Sequence, residues 1–483
     1  MNDYRFIIDQ STSGTKLLVM NAGKIMKRYD KMHQQIYPKD GWIEQDPEEI
    51  WHNVEALINQ AFTENQLHHS QIASLSITNQ RETIVAWDKV TGKPLYNAIV
   101  WQCNRSIDIC ERLIQQGKAD VISQKTGLRV DPYFSGTKIQ WLYDEIPMIR
   151  EKSQAAELAI GTMDSWLIWK LTNGEVFATE ASNASRTLLF DIQNLRWDSE
   201  LANLFHCHIE DLPEIRNSSD IFGSYQGIVI KGVMADSQAA LFGQGCLKKG
   251  EVKVTLGTGS SVLMQMKKEG DFRDQRIMTT VAGVDNQGTS YALEGIIRSC
   301  ADSIHWFNEE IASFLDINQA CNLAVSGQSE EIYFIPALQG LAAPFWLQES
   351  TGMFVGMRRK TTKLDLLRAI LESIIFQIKA VIDVMEEVTG RKIKTVKVDG
   401  GVTKNTQLMI LLADLLEKEV VINNMEELSA IGALNMVDDK VKNIELSPKS
   451  LYPRVNQPLS KKYKQWRDLI TISSNNETIE IVS

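Results

Sequence analysis

Two short segments rich in serine, threonine and glycine have the composition of phosphate-binding turns. Residues 11–15 and 257–259 each lie between two apolar runs, which predicts a β-hairpin in each half of the chain. Backbone N–H groups and hydroxyls at such turns can converge on phosphate oxygens, and Asp9, at the end of the first strand, can hold hydrated Mg²⁺. Either turn alone could be a plain surface hairpin, but the repeat favours phosphate binding.

Three charged residues have the chemistry to act on a hydroxylated substrate. Arg81 and Glu82 follow an apolar strand, and a guanidinium beside a carboxylate offers vicinal hydroxyls both donors and an acceptor. Adjacent opposite charges at a strand end can equally be a solvated pair. Asp236 lies between an apolar strand and a helix start of small residues, where it could be merely the helix N-cap.

Other common site signatures are missing from the sequence. It contains neither GxxxxGK[ST] nor a complete GxGxxG, so phosphate binding has to use a device other than a P-loop or a standard dinucleotide fold. His206-Cys207-His208 resembles metal-ligand spacing, but no partner cluster accompanies it, and we assign it no site. The sequence thus leaves the two hairpins as the candidate phosphate-binding elements.

The elements around the hairpins repeat in order. A helix and then a strand follow each hairpin, at 47–62 and 72–78 in the first half and at 364–387 and 395–398 in the second. This order predicts a duplicated α/β unit.

A second candidate nucleotide-binding element follows the last of these strands. The turn at 399–401 leads into a helical pattern over 405–417, an arrangement that can receive a phosphate or nucleotide. We therefore predict two lobes, residues 1–244 and 245–483, with a cleft between them.

Composition limits the possible partners. The 483 residues are 43% hydrophobic and 23% charged, which is typical of globular proteins, and a net charge of −10 argues against nucleic acid or an acidic membrane as a partner. The six cysteines form no CxxC pair, as in reduced intracellular proteins. No signal peptide or long apolar run is evident, so the prediction is a cytoplasmic protein.

Longer segments resemble a known family. YFSGTKIQWLYDE, residues 133–145, resembles the signature of the FGGY carbohydrate kinases, and QQIYPKDGWIEQDPEEIW, ITNQRETIVAWD and NASRTLLFDI are similar to the glycerol kinases among them. The resemblance implies an actin-like ATPase (ribonuclease H-like) fold, ATP and Mg²⁺ as cofactors, a small polyol as substrate, and a homo-oligomer, either dimer or tetramer.

The resemblance also implies roles for individual residues. It implies that the first hairpin and the second lobe bind ATP through Thr12, Ser13, Gly14, Lys16, Thr258, Ala301, His305, Gly401 and Asn405. It implies that the polyol is bound by Arg81, Glu82, Trp101, Tyr133, Asp236, Ser237 and Ser261. Asp236 matches the catalytic base, and Asp9 lies near the metal.

Several matched positions depart from the family pattern. Lys16 stands where the family usually has arginine, and Ala301 and His305 stand where it has glycine and glutamine. Ser237 and Ser261 replace a glutamine and an aromatic residue, so we expect a larger and more polar pocket.

The expected function is phosphorylation of a primary hydroxyl of a small polyol by ATP, with glycerol giving glycerol 3-phosphate. One alternative is a kinase for a larger polyol or ketose such as erythritol. The other is an actin- or chaperone-like switch ATPase.

Overall fold

The first half of the chain forms an α/β lobe. The computed structural model describes residues 4–266, 274–327, 331–423, 425–437 and 448–475. The strands of this half are β1 (Tyr4–Gln10), β2 (Gly14–Asn21), β3 (Lys24–Met32), β4 (Glu44–Gln45), β5 (Ile72–Asn79), β6 (Ile84–Asp88), β7 (Ala98–Ile99), β8 (Leu158–Thr162), β9 (Ala178–Glu180), β10 (Phe190–Asp191), β11 (Arg196–Trp197), β12 (Glu214–Arg216), β13 (Ile221–Tyr225) and β14 (Ile228–Ala235). Its helices are α1 (Pro47–Asn65), α2 (Ile107–Gln115), α3 (Ala119–Thr126), α4 (Ser135–Glu145), α5 (Pro147–Gln154), α6 (Met163–Leu171), α7 (Ala181–Ala184), α8 (Ser199–Leu204) and α9 (Asp236–Gly243).

The second half forms another α/β lobe. Its strands are β15 (Val252–Leu256), β16 (Ser260–Gln265), β17 (Met278–Asp285), β18 (Gly288–Ile297), β19 (Tyr333–Ile335), β20 (Met353–Val355), β21 (Thr395–Asp399), β22 (Glu419–Ile422) and β23 (Lys449–Leu451). Its helices are α10 (Ala301–Phe307), α11 (Ile317–Ser326), α12 (Lys363–Thr389), α13 (Thr406–Leu416), α14 (Leu428–Asn435) and α15 (Gln457–Asn475). A π-helical turn, Asn308–Ala312, extends α10.

The main sheets of the two lobes share one topology. The first has the order β13-β14-β5-β1-β2-β3, and the second has the order β17-β18-β16-β15-β21-β22-β23. In each, an antiparallel hairpin (β1–β2 or β15–β16) is followed by two parallel neighbours (β5 and β14, or β21 and β22). The predicted α/β fold with a duplicated unit is confirmed.

The long helix predicted in the second half is also confirmed, as α12. Its first turn has a capping box, in which the Asp365 N–H donates to Thr362 Oγ1 (3.3 Å) and the Thr362 N–H donates to Asp365 Oδ2 (2.8 Å). Apolar residues at helical spacing along α12 are fully buried against the second sheet, among them Leu367, Ile374 and Ile378. This core fixes the sheet that carries the second hairpin.

Two helices cross between the lobes. Helix α9 leaves the first sheet, and α14, from the second half of the chain, packs on that sheet through Ala430 and Leu434. At the crossing a Cβ on Gly432 would lie 1.7 Å from the Ala239 carbonyl oxygen, and one on Gly243 would lie 1.9 Å from that of Leu428. Only glycine allows the two backbones to approach so closely. The division at residue 244 stays a prediction, since α14 comes from the second half of the chain but packs on the first sheet.

The described residues include no helix that is both long and apolar enough to cross a bilayer.

Candidate active site

Three charged side chains emerge at one edge of the first sheet. Strands β1, β5 and β14 run parallel and adjacent, so their carboxyl ends lie together. Asp9 lies near the end of β1, Arg81 follows β5, and Asp236 follows β14. The topology therefore brings together residues that are far apart in sequence.

Asp9 is a buried carboxylate beside the first hairpin. Burial raises the pKa of Asp9 to about 6, against the lowering effect of Lys16, its cross-strand neighbour, and with a further raising effect from Asp236. Among the described residues no side chain donates a hydrogen bond to this carboxylate or forms an ion pair with it. Its charge is therefore available to a cation in the cleft.

The first hairpin has a tight turn. Ser11 closes it, with both its N–H and its hydroxyl donating to the Gly14 carbonyl oxygen at 2.9 Å. A Cβ on Gly14 would lie 2.6 Å from the Lys31 carbonyl oxygen, so glycine is required there. Ser13 is exposed at the tip of the turn, and Lys16, the third residue of β2, is half-buried.

Arg81 and Glu82 belong to a buried group of charges that joins the lobes. Arg81 Nη1 donates to Glu294 Oε1 at 2.7 Å, and Arg186 Nε donates to Glu82 Oε1 at 2.6 Å. Arg186 also donates to Glu294, which lies on β18 of the second lobe. We name Arg81, Glu82, Arg186 and Glu294 the interlobe ion cluster. Because Arg81 and Glu82 are 5% and 1% exposed, the solvated-pair interpretation was wrong.

Arg81 and Arg186 determine the ionisation state of Glu294. Burial by itself would raise the pKa of this carboxyl, but Arg186 and Arg81 outweigh it and the pKa is lowered. Glu294 is therefore ionised, and it holds the Arg81 guanidinium in place.

Trp101 and Tyr133 form an aromatic wall next to Arg81. Their ring centroids are 5.1 Å apart at an interplanar angle of 57°. Arg81 Nη2 lies 3.4 Å from the Tyr133 hydroxyl, and Trp101 Nε1 donates to Thr12 Oγ1 at 2.9 Å. This wall therefore connects the Arg81 side of the cleft to the first hairpin.

Asp236 begins α9 without capping it. The N-cap position is Ala235, and Asp236 Oδ1 accepts a hydrogen bond from the Ser237 N–H at 2.6 Å. Its side chain is 36% exposed, and Oδ1 lies 3.4 Å from Arg81 Nε. The N-cap interpretation of Asp236 was wrong, and its carboxylate faces the cleft beside Arg81.

Asp236 is preceded by a well-anchored backbone. The N–H of Ala235 donates to Ser182 Oγ at 3.0 Å, and that hydroxyl in turn donates to the buried Glu180. These contacts fix the start of α9.

The second hairpin adjoins the start of α10. The N–H of Ala301 donates to the Gly257 carbonyl oxygen at 3.1 Å, and that of Asp302 donates to the carbonyl oxygen of Thr258 at 3.2 Å. His305 is exposed one turn further along the helix from Ala301. Thr258, Ala301 and His305 thus lie on neighbouring parts of the second lobe.

The turn at the end of β21 closes the same region. A Cβ on Gly400 would lie 2.3 Å from the Leu256 carbonyl oxygen, so this turn packs directly on the strand before the second hairpin. Gly401 is exposed, and Asn405 caps α13 by accepting from the Leu408 N–H at 2.9 Å. The side-chain amide nitrogen of Asn405 is buried and has no partner among the described residues. It is a donor that a ligand could satisfy.

Ser237 and Ser261 meet where α9 faces β16. Ser261 Oγ donates to Ser237 Oγ at 3.4 Å, and the buried Lys253 lies beneath both. The sequence-predicted residues therefore form two groups, one around Asp9, Arg81 and Asp236 and one around the second hairpin.

The sequence analysis missed Arg186, Glu294 and Lys253. The only local signal for Glu294 and Lys253 is a single charge inside an otherwise apolar strand, in YALEGII and VKVTL. Arg186 has no such signal, because its partners lie 104 and 108 positions away.

Within the part of the chain that the structure describes, no three His, Cys, Asp or Glu side chains form a metal-binding group. His206 Nδ1 instead lies 2.9 Å from Asp144 Oδ1 at the surface, and Cys207 is buried. A metal ion in the cleft would depend on few protein ligands.

Comparison with known proteins identifies the family. Residues 4–243 match the N-terminal domain of the FGGY family of carbohydrate kinases, and residues 252–436 match its C-terminal domain. The chain belongs to the FGGY family of carbohydrate kinases. The family resemblance noted in the sequence is therefore confirmed.

Individual FGGY proteins are similar over nearly the whole chain. "Glycerol kinase 1" of Thermotoga maritima is 43% identical over 437 residues, which cover 89% of each chain. The crystal structure of Plasmodium falciparum glycerol kinase with ADP has a TM-score of 0.89 at 31% identity, covering 97% of this chain and 98% of the other. Gluconate kinase from Lactobacillus acidophilus, at 19% identity and a TM-score of 0.86, shares the fold.

Proposed function

We propose that this chain is an ATP-dependent kinase that phosphorylates a primary hydroxyl of glycerol to give glycerol 3-phosphate. The observation that carries the proposal is the position of Asp236, half-exposed and 3.4 Å from Arg81 at the sheet edge where Asp9 and the first hairpin also lie. A general base, a hydroxyl-binding guanidinium and a phosphate-binding turn then share one cleft. The similarity to glycerol kinases over nine-tenths of the chain supports glycerol as the substrate.

The polyol would bind through the first lobe. Arg81 and Glu82 present donors and an acceptor to neighbouring hydroxyls, while Trp101 and Tyr133 pack against the carbon chain. Asp236 accepts the proton of the attacking hydroxyl. The interlobe ion cluster holds Arg81 in place for this task, since Glu294 accepts a hydrogen bond from its guanidinium.

ATP would bind between the two hairpins. Thr12, Ser13, Gly14 and Lys16 offer hydroxyl, backbone and ammonium donors to its phosphates, and Thr258 offers a hydroxyl from the opposite lobe. The nucleoside would lie against the second-lobe residues Ala301, His305, Gly401 and Asn405. A lysine at position 16 binds phosphate as a point charge, without the fork of an arginine.

The residues present fit a Mg²⁺ ion. Magnesium in kinases is held by one or two carboxylates together with substrate phosphates and water, and Asp9 is a buried carboxylate without a partner among the described residues. Asp9 would hold the ion, with Asp236 close enough to act on its charge state. When bound, the metal neutralises charge that develops on the transferred phosphoryl group.

Catalysis would rest on alignment and charge neutralisation. An alcohol held in line with the γ-phosphorus needs little deprotonation before attack, so Asp236 takes the proton late. Closure of the lobes would exclude water and suppress ATP hydrolysis. A dimer or tetramer and a cytoplasmic location stay predictions.

Product identification tests the proposal. The purified chain is incubated with MgATP and glycerol, and the phosphate ester is followed by ³¹P NMR. We expect glycerol 3-phosphate and ADP in equal amounts. Equal rates of ATP hydrolysis with and without a polyol, and no phosphate ester, would instead favour a switch ATPase.

A further inference from the structure

A hydrogen-bonded group of three side chains, Ser237, Ser261 and Lys253, lies beside Asp236 and takes no part in the proposed glycerol contacts. Ser261 Oγ lies 3.4 Å from Ser237 Oγ, and Lys253 Nζ lies 3.2 Å from Ser261 Oγ and 3.4 Å from the Ser237 carbonyl oxygen. Both serines are half-buried, and Ser237 directly follows the partly exposed Asp236 in α9. Ser237 comes from α9 and Ser261 from β16, so both lobes contribute.

Lys253 is unusual in this group because its ammonium is buried. It is fully buried, and burial lowers the pKa of its ammonium against the raising effect of Asp399. An ammonium carries three protons, yet among the described residues it has only the two long hydrogen bonds to the serines and forms no ion pair. A buried, weakly bonded cation polarises the Ser261 hydroxyl and strengthens its hydrogen bond to Ser237 Oγ, which leaves the Ser237 proton to be donated to a further acceptor.

The charges around the serine pair favour a neutral occupant. The two arginines and two glutamates of the interlobe ion cluster cancel, and the positive charge of Lys253 interacts with the negative charge of Asp399 and, more weakly, with that of Asp236. An acid would be repelled by Asp236, and an amine by Lys253. A hydroxyl, which both donates and accepts, suits the serine pair.

Glycerol has no hydroxyl left to contact Ser237 and Ser261. Its reacting hydroxyl is assigned to Asp236, and its other two hydroxyls are assigned to Arg81 and Glu82. A hydroxyl on a further carbon is needed to reach Ser237 and Ser261.

We propose that Ser237, Ser261 and Lys253 form an additional hydroxyl-binding subsite, and that the enzyme uses it to phosphorylate four-carbon polyols. The inference rests on the proposed kinase function and names its substrate class. Ser237 and Ser261 contact the added hydroxyl, while Lys253 is a positioning residue that acts through them. The same reaction, transfer of the γ-phosphoryl group to a primary alcohol with release of ADP and a proton, applies to the longer substrate.

The test compares substrates within each enzyme. Values of kcat/KM are measured at saturating MgATP for glycerol, erythritol, D-threitol and L-threitol. We expect at least one four-carbon polyol to equal or exceed glycerol in the wild-type enzyme. In Ser261→Ala the ratio of that kcat/KM to the glycerol value should fall about 10- to 100-fold, because a lost hydrogen bond discriminates strongly. Ser261→Thr retains the hydroxyl and should retain most of the ratio.

A matched control comes from the neighbouring residue in β16. Ser260 points to the opposite face of the strand and is buried, and its hydroxyl has no partner among the described residues. Ser260→Ala should leave the substrate ratio unchanged. Calorimetric binding of the four-carbon polyols and glycerol to the wild-type enzyme with ADP provides a second measurement that needs no variant.

The outcomes separate the two proposals. Glycerol turnover with every four-carbon polyol poorer than glycerol, or an unchanged ratio in Ser261→Ala, would overturn the subsite and leave the kinase intact. Absence of phosphoryl transfer to every polyol would overturn the proposed function itself.

Discussion

At the scale of single residues, Asp236 is the proposed catalytic base. Its backbone is fixed by Ser182 through the Ala235 N–H, while its carboxylate is 36% exposed beside Arg81. A group that is held firmly and still reaches solvent is suited to accept a proton from a bound alcohol. The sequence offered a helix cap as an alternative, and the structure removes it because Ala235 occupies that position.

Replacing this carboxylate should separate catalysis from nucleotide binding. In Asp236→Asn we expect kcat to fall about 10²- to 10⁴-fold, the usual effect of removing a positioned general base. The affinity for ATP, measured by calorimetry, should change little.

Asp316→Asn is the matched control for Asp236→Asn. Asp316 caps α11 at the surface, and asparagine caps helices equally well. Full turnover in Asp236→Asn would discard its role as the base.

The proposed site residues leave a clearer pattern in the sequence than the residues that contact them. Asp9, Arg81 and Asp236 follow or end apolar strands, a local pattern that can be recognised without the fold. Glu294 could not be paired with Arg81 because 213 positions separate them, and only the assembled lobes bring them together. Non-local ion pairs of this kind leave no spacing pattern in a sequence.

At the scale of elements, β18 connects the second lobe to the proposed polyol-binding residues of the first. Its Glu294 contacts Arg81, and Arg298, just beyond its end, pairs with Asp131 at 2.7 Å. Asp131 in turn accepts from the Tyr133 N–H at 2.9 Å. The orientation of both Arg81 and Tyr133 therefore depends on this strand.

Weakening this connection should impair polyol use selectively. Glu294→Gln removes the charge that pairs with two buried arginines, and leaving a buried charge unpaired costs about 3–5 kcal/mol. We expect kcat/KM for glycerol to fall about 100-fold, since one factor of ten corresponds to about 1.4 kcal/mol and part of the loss is relieved by reorientation. ATP affinity should stay within about twofold of the wild-type value.

The control for Glu294→Gln is Glu309→Gln, an exposed site in the second lobe. Equal losses of ATP and glycerol affinity in Glu294→Gln would contradict a specific effect on Arg81.

The strand β9 supplies a pH-dependent contact between lobes. Burial raises the pKa of Glu180 from 4.5 to about 7, although Ser182 and Ser218 donate to its carboxylate. The Ser218 hydroxyl oxygen also accepts from the Val284 N–H of the second lobe at 3.0 Å. Glu180 therefore belongs to a buried network that spans both lobes.

The sign of the pH effect follows from this raised pKa. The folded state binds the Glu180 proton more tightly than the unfolded chain does. The contribution of protonated Glu180 to the free energy of unfolding is therefore fully present below about pH 4.5 and is lost as the pH rises to about 7. The loss amounts to about 3 kcal/mol. In Glu180→Gln, urea unfolding at pH 5 and pH 8 should differ less than in the wild-type protein.

Glu214→Gln, at an exposed position, should keep the wild-type dependence and is the control for Glu180→Gln. Identical pH dependence in Glu180→Gln and the wild-type protein would exclude Glu180 as its source.

At the scale of the whole molecule, the crossing of α9 and α14 joins the lobes. The duplicated sheets were predictable because hairpin, helix and strand repeat in sequence order. The crossing was not, because the small residues of α14 read as an ordinary apolar helix until it packs on the first sheet. Glycine is required at positions 432 and 243 because each packs against a backbone about 190 positions away along the chain.

A single methyl group tests this crossing. In Gly432→Ala the new Cβ would lie 1.7 Å from the Ala239 carbonyl oxygen, so the helices must separate. We expect the free energy of unfolding to fall by about 3 kcal/mol, as for an overpacked core, measured by guanidinium denaturation. Gly327→Ala is the control, since its Cβ would meet nothing closer than 3.5 Å. Equal stability of the two variants would contradict the close approach.

The polyol dependence of ATP turnover tests the central claim most directly. ADP formation by the purified chain is measured with MgATP alone and with glycerol added, together with the amount of phosphate ester formed. The proposed kinase predicts ADP formation that rises at least about 100-fold with glycerol and yields one ester per ADP, because water is excluded from the closed cleft. ADP formation at the same rate without a polyol would contradict it.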